Sequence, residues 1–284
     1  MTVRSTILSW IAVAALAGVL GTLGYRRLHE QPRFPYRAHA LSAADYGAMA
    51  AAPGWREQRL SVGPGVELRG LRREPLAPGG PWVLFFGGNS PHLLRDGQQI
   101  LDALCAERGW GAMVWAYRGF DSSGGTPDPA LLIADGFAEY SKLLTEEKVR
   151  PSAVHIVGFS LGTGIAAAIA ARARQEPPAT LTLLAPMTVL YMGEPSRLRL
   201  HRYETSKWLA GIVSPTLVVH GTHDTTLKVE NGRAVAQALG SRGTLLEPPE
   251  LGHEDLPRSQ AVQAAVRDFV SQHMVGRIMT PAKP

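Results

Sequence analysis

Residues 6–25 carry no charge, and beyond Trp55 the apolar positions fall into two alternating kinds of segment. Residues 59–62 and 66–71, on either side of Gly63-Pro64-Gly65, predict a β-hairpin. Residues 82–86, 112–117, 154–159, 180–184, 216–220 and 244–247 are short runs, apolar on both faces and bounded by turn residues. Strands of a parallel sheet that is covered on both sides read this way. Between them, residues 97–108, 131–147, 161–174, 229–239 and 259–273 are longer and predict helices. Alternating strands and helices predict an α/β fold, a mostly parallel twisted sheet with helices on both faces.

The uncharged run at 6–25 has a different use. Twenty residues of helix, rising about 1.5 Å each, cover roughly the 30 Å of a bilayer's hydrocarbon layer. Trp10 and Tyr25 stand near its ends, where interfacial aromatics belong, and Arg26 and Arg27 follow at once. Residues 1–25 therefore read as a single-pass transmembrane anchor. Two other readings compete. One is a signal peptide cleaved at Ala15-Leu16-Ala17, which would leave a secreted or periplasmic body. The other is a buried core helix. Arg4 stands on one side of the run and Arg26, Arg27, Arg33 and Arg37 on the other, which favours a cytoplasmic body; a signal-anchor would translocate it, and both orientations stay open. Residues 26–54, with Pro32, Pro35 and Pro53, read as a linker containing one short helix over 41–52, and residues 55–284 as the folded body.

Composition narrows the partners. With 45% hydrophobic and 19% charged residues the chain is not disordered. A single cysteine, Cys105, excludes an intramolecular disulfide and a cysteine-based metal site. The formal net charge is +5, yet no Lys/Arg run exceeds two residues and no aromatics interleave with a basic strand face. Nucleic acid is thereby excluded as a partner, and an anionic membrane surface matches the excess arginine better.

The chemistry is concentrated in Gly158-Phe159-Ser160-Leu161-Gly162, a G-x-S-x-G between a predicted strand and a helix of small residues. That context places a serine on a strained strand-to-helix turn with its Oγ above the sheet, so Ser160 is the candidate nucleophile. The N–H of Leu161, first in the helix, faces a developing oxyanion. A serine needs a base, and the base an orienting carboxylate, in the chain order Ser, acid, His. Asp224 follows the strand 216–220, and His253 follows Gly252 in the loop before the last helix. They are the candidate orienter and general base. His220 and His223 lie too close to Asp224 in sequence to be its partner and shape its loop, while Glu254 and Asp255 adjoin His253 and point elsewhere. The loop Gly87-Gly88-Asn89-Ser90 after the strand 82–86 supplies the second oxyanion donor, the N–H of Asn89, with Gly88 as the alternative.

Together these residues resemble the α/β-hydrolase superfamily over roughly 55–273. Within it they are most similar to a membrane-anchored, lid-poor serine hydrolase group of α/β-hydrolase-domain and serine-aminopeptidase-like proteins. Gly87-Gly88-Asn89-Ser90 resembles that group's His-Gly-Asn-Ala oxyanion loop, and Tyr117-Arg118-Gly119-Phe120-Asp121-Ser122-Ser123-Gly124-Gly125-Thr126-Pro127 its Tyr-Arg-Gly-Tyr-Gly-x-Ser-x-Gly-x-Pro loop. The elbow, the approach from Arg202-Tyr203-Glu204 through Pro215 to Asp224, and Gly252-His253 complete the likeness. The sequence departs from the group in having Gly87 for the oxyanion-loop histidine, Ala116 for an acidic or amide residue, and Asp121 for a glycine.

The resemblance and the triad order imply a membrane-anchored serine hydrolase that cleaves acyl esters or thioesters through an acyl-enzyme, with a small-molecule or lipid acyl substrate and no metal or organic cofactor. An aminopeptidase or amidase of the same fold, with Glu194 or Glu204 holding a substrate amine, and a non-catalytic binding protein are the alternatives. The 184–216 interval is too short for a large cap domain, and residues 187–200 are expected to form either a small apolar lip or a connecting helix on the body.

Overall fold

The computed structural model of the chain describes residues 33–192 and 201–275. In order, the elements are β1 (Arg33–Phe34), α1 (Ala43–Ala50), β2 (Trp55–Gly63), β3 (Val66–Arg73), β4 (Trp82–Phe86), α2 (Leu93–Cys105), β5 (Gly111–Trp115), α3 (Pro129–Thr145), β6 (Val154–Phe159), α4 (Leu161–Arg172), β7 (Thr180–Leu184), β8 (Val189–Met192), β9 (His201–Glu204), β10 (Thr216–Val219), α5 (Glu230–Leu239), β11 (Gly243–Leu246) and α6 (Gln260–Val275). They divide into two units. The described part of the smaller one is a short parallel pairing of Arg33 and Phe34 with Tyr191 and Met192. The larger one, residues 36–190 and from 201 onward, contains the sheet and the candidate site.

That sheet has eight strands in the order β11-β10-β7-β6-β4-β5-β3-β2. All pair in parallel except β2 with β3 and β3 with β5. This is the mostly parallel α/β sheet that the alternation predicts. Strands β4, β6 and β7 are buried along their whole length, which is why they read as unbroken apolar runs. The chain moves one way from β4 to β5 and the opposite way from β5 to β6, on the other side of β4. Right-handed crossovers then put α2 and α3 on opposite faces. The reversal opens a crevice at the carboxyl ends of β4 and β6, where open α/β sheets bind ligands.

Helix α4 occupies the middle of the larger unit. Its sequence, Leu-Gly-Thr-Gly-Ile-Ala-Ala-Ala-Ile-Ala-Ala-Arg, is small and apolar all round, and residues Leu161 to Ala171 are buried. A helix without a polar face has no orientation that keeps water on one side, so it packs between layers.

Element starts differ from the pattern where a partner is remote. Helix α2 begins at Leu93 rather than 97, because the carboxylate of Asp121 accepts the N–H of Leu94 at 2.7 Å and satisfies a free donor of its first turn. Helix α3 begins at Pro129 because Asp128 caps it, accepting from the N–H of Ala130 and Leu131. Residues 36–54, expected as linker, make contacts with the body. Helix α1 is capped by Ser42, and the buried Tyr46 hydroxyl donates to the carbonyl of Gly70 at 3.0 Å. Gln98 Nε2 donates to the carbonyl of Met49 at 2.9 Å. Tyr46 and Met49, three apart, form the apolar stripe that docks the helix.

The anchor reading at 6–25 lies outside the described residues, and among the described residues no helix is long and apolar enough to cross a membrane. The interval expected as lip or connecting helix begins as a strand, β8, and its residues 193–200 also lie outside the described part.

One buried charge site works against stability. In α3, Asp135 is paired with Arg118, whose Nε donates to Oδ2 at 2.6 Å. One turn on, Glu139 is 1% exposed and neither carboxyl oxygen has a hydrogen-bond partner. Burial, and next the charge of Asp135, push its carboxyl well above the usual carboxylate range. A carboxyl raised on folding contributes stability that is present below its unfolded value of about 4.3 and is lost as pH rises through the folded value. Glu139→Gln, which keeps the protonated shape without the titration, is therefore expected to match wild type in thermal melts at pH 4. At pH 8 it should melt higher, by roughly 2–4 °C per kcal/mol recovered. Equal melting temperatures at both pH values would show that Glu139 ionises without cost.

Candidate active site

Ser160 sits between β6 and α4 with φ 50° and ψ −116°, a conformation that L-residues rarely adopt. Close approach imposes it. A Cβ on Gly158 would stand 2.8 Å from the carbonyl oxygen of Gly162, and one on Gly162 only 2.1 Å from the carbonyl oxygen of Phe86. Strand and helix are thus pressed together at both glycines of the motif. Hydrogen bonds hold the turn: the N–H of Ser160 donates to the carbonyl of Leu184 at 2.9 Å, and the Thr163 hydroxyl to the carbonyl of Ser160 at 2.6 Å.

Ser160, His253 and Asp224, far apart in sequence, lie in one file. His253 Nδ1 is 2.7 Å from Asp224 Oδ2, and His253 Nε2 is 2.9 Å from Ser160 Oγ. A carboxylate only accepts, so Nδ1 carries the proton and Nε2 accepts from the serine hydroxyl. The Phe159 ring lies against the imidazole, with centroids 5.1 Å apart and the planes tilted by 38°.

Asp224 is 8% exposed. Burial alone would raise its carboxyl; hydrogen bonds from His220, His253 and the Leu227 N–H outweigh burial and hold it well below the usual range. The N–H groups of Thr226 and Leu227 both donate to Oδ1 at 2.8 Å. His220 is the further partner. Its Nε2 lies 2.7 Å from the carbonyl of Leu227, so it carries a proton, and 3.3 Å from Asp224 Oδ2. By its place in the sequence His220 only shapes this loop; in the structure its ring also faces the carboxylate. The signal was the spacing His220-Gly221-Thr222-His223-Asp224, four residues from ring to acid.

The segments that carry the candidate oxyanion donors adjoin the serine. Leu161 opens α4, so its N–H has no partner within the helix. The Gly87–Ser90 loop passes beside Ser160: a Cβ on Gly88 would lie 3.5 Å from the Ser160 Cβ and 3.0 Å from the Phe159 ring. Asn89 follows Gly88, and its Oδ1 accepts the N–H of Arg37 at 2.8 Å. The cavity behind this loop, bounded by Phe85, Leu93, Ile100 and Phe159, has about 20 Å³, room for one water and none for an acyl chain.

Other residues singled out in the sequence stand apart from the file. Arg202 donates to the Glu204 carboxylate, so that charge is already matched. Glu194 lies outside the described residues. Asp121, where the resembled group has glycine, does adopt a glycine-like φ of 43°, followed by Ser122 at 66°. Its bond to the start of α2 and the seating of Ser123, whose hydroxyl donates to the carbonyl of Ala116 at 2.9 Å, hold the loop in that shape.

Comparisons with known proteins agree on the fold. A family model described as TAP-like protein, an α/β-hydrolase family, matches residues 199–277. An uncharacterized Mycobacterium tuberculosis protein is 27% identical over 239 residues, covering 80% of this chain and 83% of its own. The Xenopus laevis alpha/beta hydrolase domain-containing protein 17B is 28% identical over 163 residues, 56% of each. A solved Pyrococcus furiosus esterase superposes with a TM-score of 0.63 at 15% identity, covering 86% of this chain and 97% of that one.

The elbow's dependence on close approach is open to test. Gly162→Ala is expected to lower stability by about 1–3 kcal/mol, since its Cβ meets main-chain atoms that cannot rotate away. Gly47→Ala, in α1 with nothing within 4 Å of the new carbon, should be neutral or stabilising by about 0.5–1 kcal/mol. Urea denaturation of both variants measures the contrast; a Gly162→Ala chain as stable as wild type would mean that the elbow has slack.

Proposed function

Because the chain belongs to the α/β-hydrolase superfamily, we propose that it is a serine hydrolase, cleaving acyl esters or thioesters through Ser160, His253 and Asp224. The observation that carries the reading is the file itself, serine hydroxyl to imidazole to carboxylate at 2.9 and 2.7 Å, with the serine at the carboxyl end of a central strand.

The roles follow from the geometry. His253 Nε2 takes the proton of Ser160 as Oγ attacks the acyl carbonyl. Asp224 holds the ring by its Nδ1–H and stabilises the imidazolium that forms. Its own carboxylate stays charged because four donors face it: His253, His220 and the two N–H groups of Thr226 and Leu227. The N–H groups of Leu161 and Asn89 receive the negative oxygen of the tetrahedral intermediate. The protonated His253 then gives its proton to the leaving alcohol or thiol, an acyl-Ser160 remains, and a water activated by the same imidazole releases the acid.

The uncharged run at 6–25 supports a further part of the reading, that the hydrolase is held at a membrane and meets lipid-like acyl substrates there. Glu204, already matched by Arg202, gives no support to an amine-binding peptidase site.

Turnover of p-nitrophenyl acyl esters of graded chain length tests the proposal. Ser160→Ala should lower kcat by about 10⁶-fold, and Asp224→Asn by about 10⁴-fold with little change in KM. Esters should turn over faster than the matching aminoacyl amides. Unchanged ester hydrolysis in Ser160→Ala would remove the nucleophile, and faster amide turnover would move the chain to the peptidase reading.

A further inference from the structure

The stretch 36–41, between the N-terminal region and α1, crosses the loops around the candidate site rather than hanging free. The Tyr36 hydroxyl pairs with that of Tyr203 in β9 at 3.1 Å, and its ring meets the edge of Phe120 with centroids 6.3 Å apart. The N–H of Arg37 donates to Asn89 Oδ1 at 2.8 Å. His39 stands edge-on to His92, centroids 5.7 Å apart. Both main-chain groups of Leu41 are held by one hydroxyl, Ser122 Oγ, which accepts from its N–H at 3.1 Å and donates to its carbonyl at 2.8 Å. Ser42 then caps α1, which Tyr46 fixes to β3.

We propose that residues 36–41 are a strap that positions the oxyanion loop, acting on Asn89 through the Arg37 N–H. This deepens the hydrolase reading and rests on it for its catalytic consequence. The loop needs such a partner. Gly87 and Gly88 give its backbone wide freedom, while an oxyanion donor counts only if it is already aimed when charge develops. The body pins both ends: the Tyr117 hydroxyl donates to the carbonyl of Gly87 at 2.7 Å, and Ser90 Oγ accepts the N–H of His92 at 3.1 Å. Between these ends, the strap holds the side chain of Asn89, which narrows the range over which the main chain there can turn. Burial pushes the Tyr36 hydroxyl up to about 12, so its bond to Tyr203 persists across the working pH range. The donor to Asn89 is a main-chain group, so any residue but proline supplies it. No side-chain motif marks it, and the stretch reads as linker.

The test uses the full chain with Arg37→Pro, Arg37→Ala and the double variant Tyr36→Phe/Ser122→Ala. Arg37→Pro removes the N–H; Arg37→Ala keeps it. Loss of aim at one oxyanion donor weakens the transition state and not substrate binding. Arg37→Pro is expected to lower kcat for an acyl ester by about 10- to 100-fold with KM within about twofold, and Arg37→Ala to stay near wild type. The double variant, which frees the strap at its ends without a new proline, should fall in the same direction. Hydrogen exchange supplies a readout that needs no turnover: amides of residues 87–90 should exchange faster in Arg37→Pro and in the double variant, and at the wild-type rate in Arg37→Ala. Unchanged exchange in all three variants overturns the strap whatever the activity. Faster exchange with kcat unchanged, in a chain where Ser160→Ala is inactive, overturns its catalytic role and leaves the hydrolase intact. A wild-type chain without turnover overturns the hydrolase reading, and with it that role.

Discussion

The site depends on how closely α4 is pressed onto the ends of β4 and β6. Gly158 and Gly162 leave the main chains in contact where any side chain would collide, and no ordinary turn fits the space between. Ser160 is forced to φ 50°, which costs on the order of 1–3 kcal/mol. The burial of α4, apolar on every side, offsets that strain, as do the bonds from Ser160 and Thr163. Two consequences follow from one constraint. The hydroxyl is lifted clear of the sheet, and the first free N–H of the helix stands beside it.

Around this fixed point the polar groups are placed by loops that are themselves tied down. Asp224 would resist ionisation if burial acted alone; two imidazoles and two main-chain N–H groups reverse that. A carboxylate saturated in this way has no rotamer to exchange into, so it orients His253 as well as charging its surroundings. His220 thus joins the acid's loop, strand β10 and the file in one hydrogen-bonded unit. The Gly87–Ser90 loop is treated similarly, with Tyr117 at one end, Ser90 at the other and the N-terminal stretch on Asn89 between them.

What was legible in the sequence was whatever rests on local pattern. Residues 82–86, 154–159 and 180–184 match β4, β6 and β7 to the residue, because buried parallel strands are unbroken apolar runs between turns. The elbow was legible because its glycines and flanking elements are contiguous, and Asp224 and His253 because their chain order and strand ends fit one arrangement. What was not legible depends on partners remote in sequence. The first turn of α2 is satisfied by Asp121, 27 residues on. The stretch 36–41 is fixed by Asn89, Ser122 and Tyr203, through a main-chain donor in one case and a single serine hydroxyl in another. β8 and β9, in an interval with no clean alternation, were not foreseen as strands. His220 looked like a loop-shaping residue because nothing local says that its ring turns back toward the acid.

The proposed hydrolase requires that Ser160, among all the hydroxyls of the chain, be nucleophilic. Incubating the folded chain with a fluorophosphonate and locating the adduct by peptide mass spectrometry tests it most directly. One adduct per chain is expected, on Ser160, formed more slowly when His253 is replaced by alanine. A folded chain that takes no adduct, or that carries it on another residue, would contradict it.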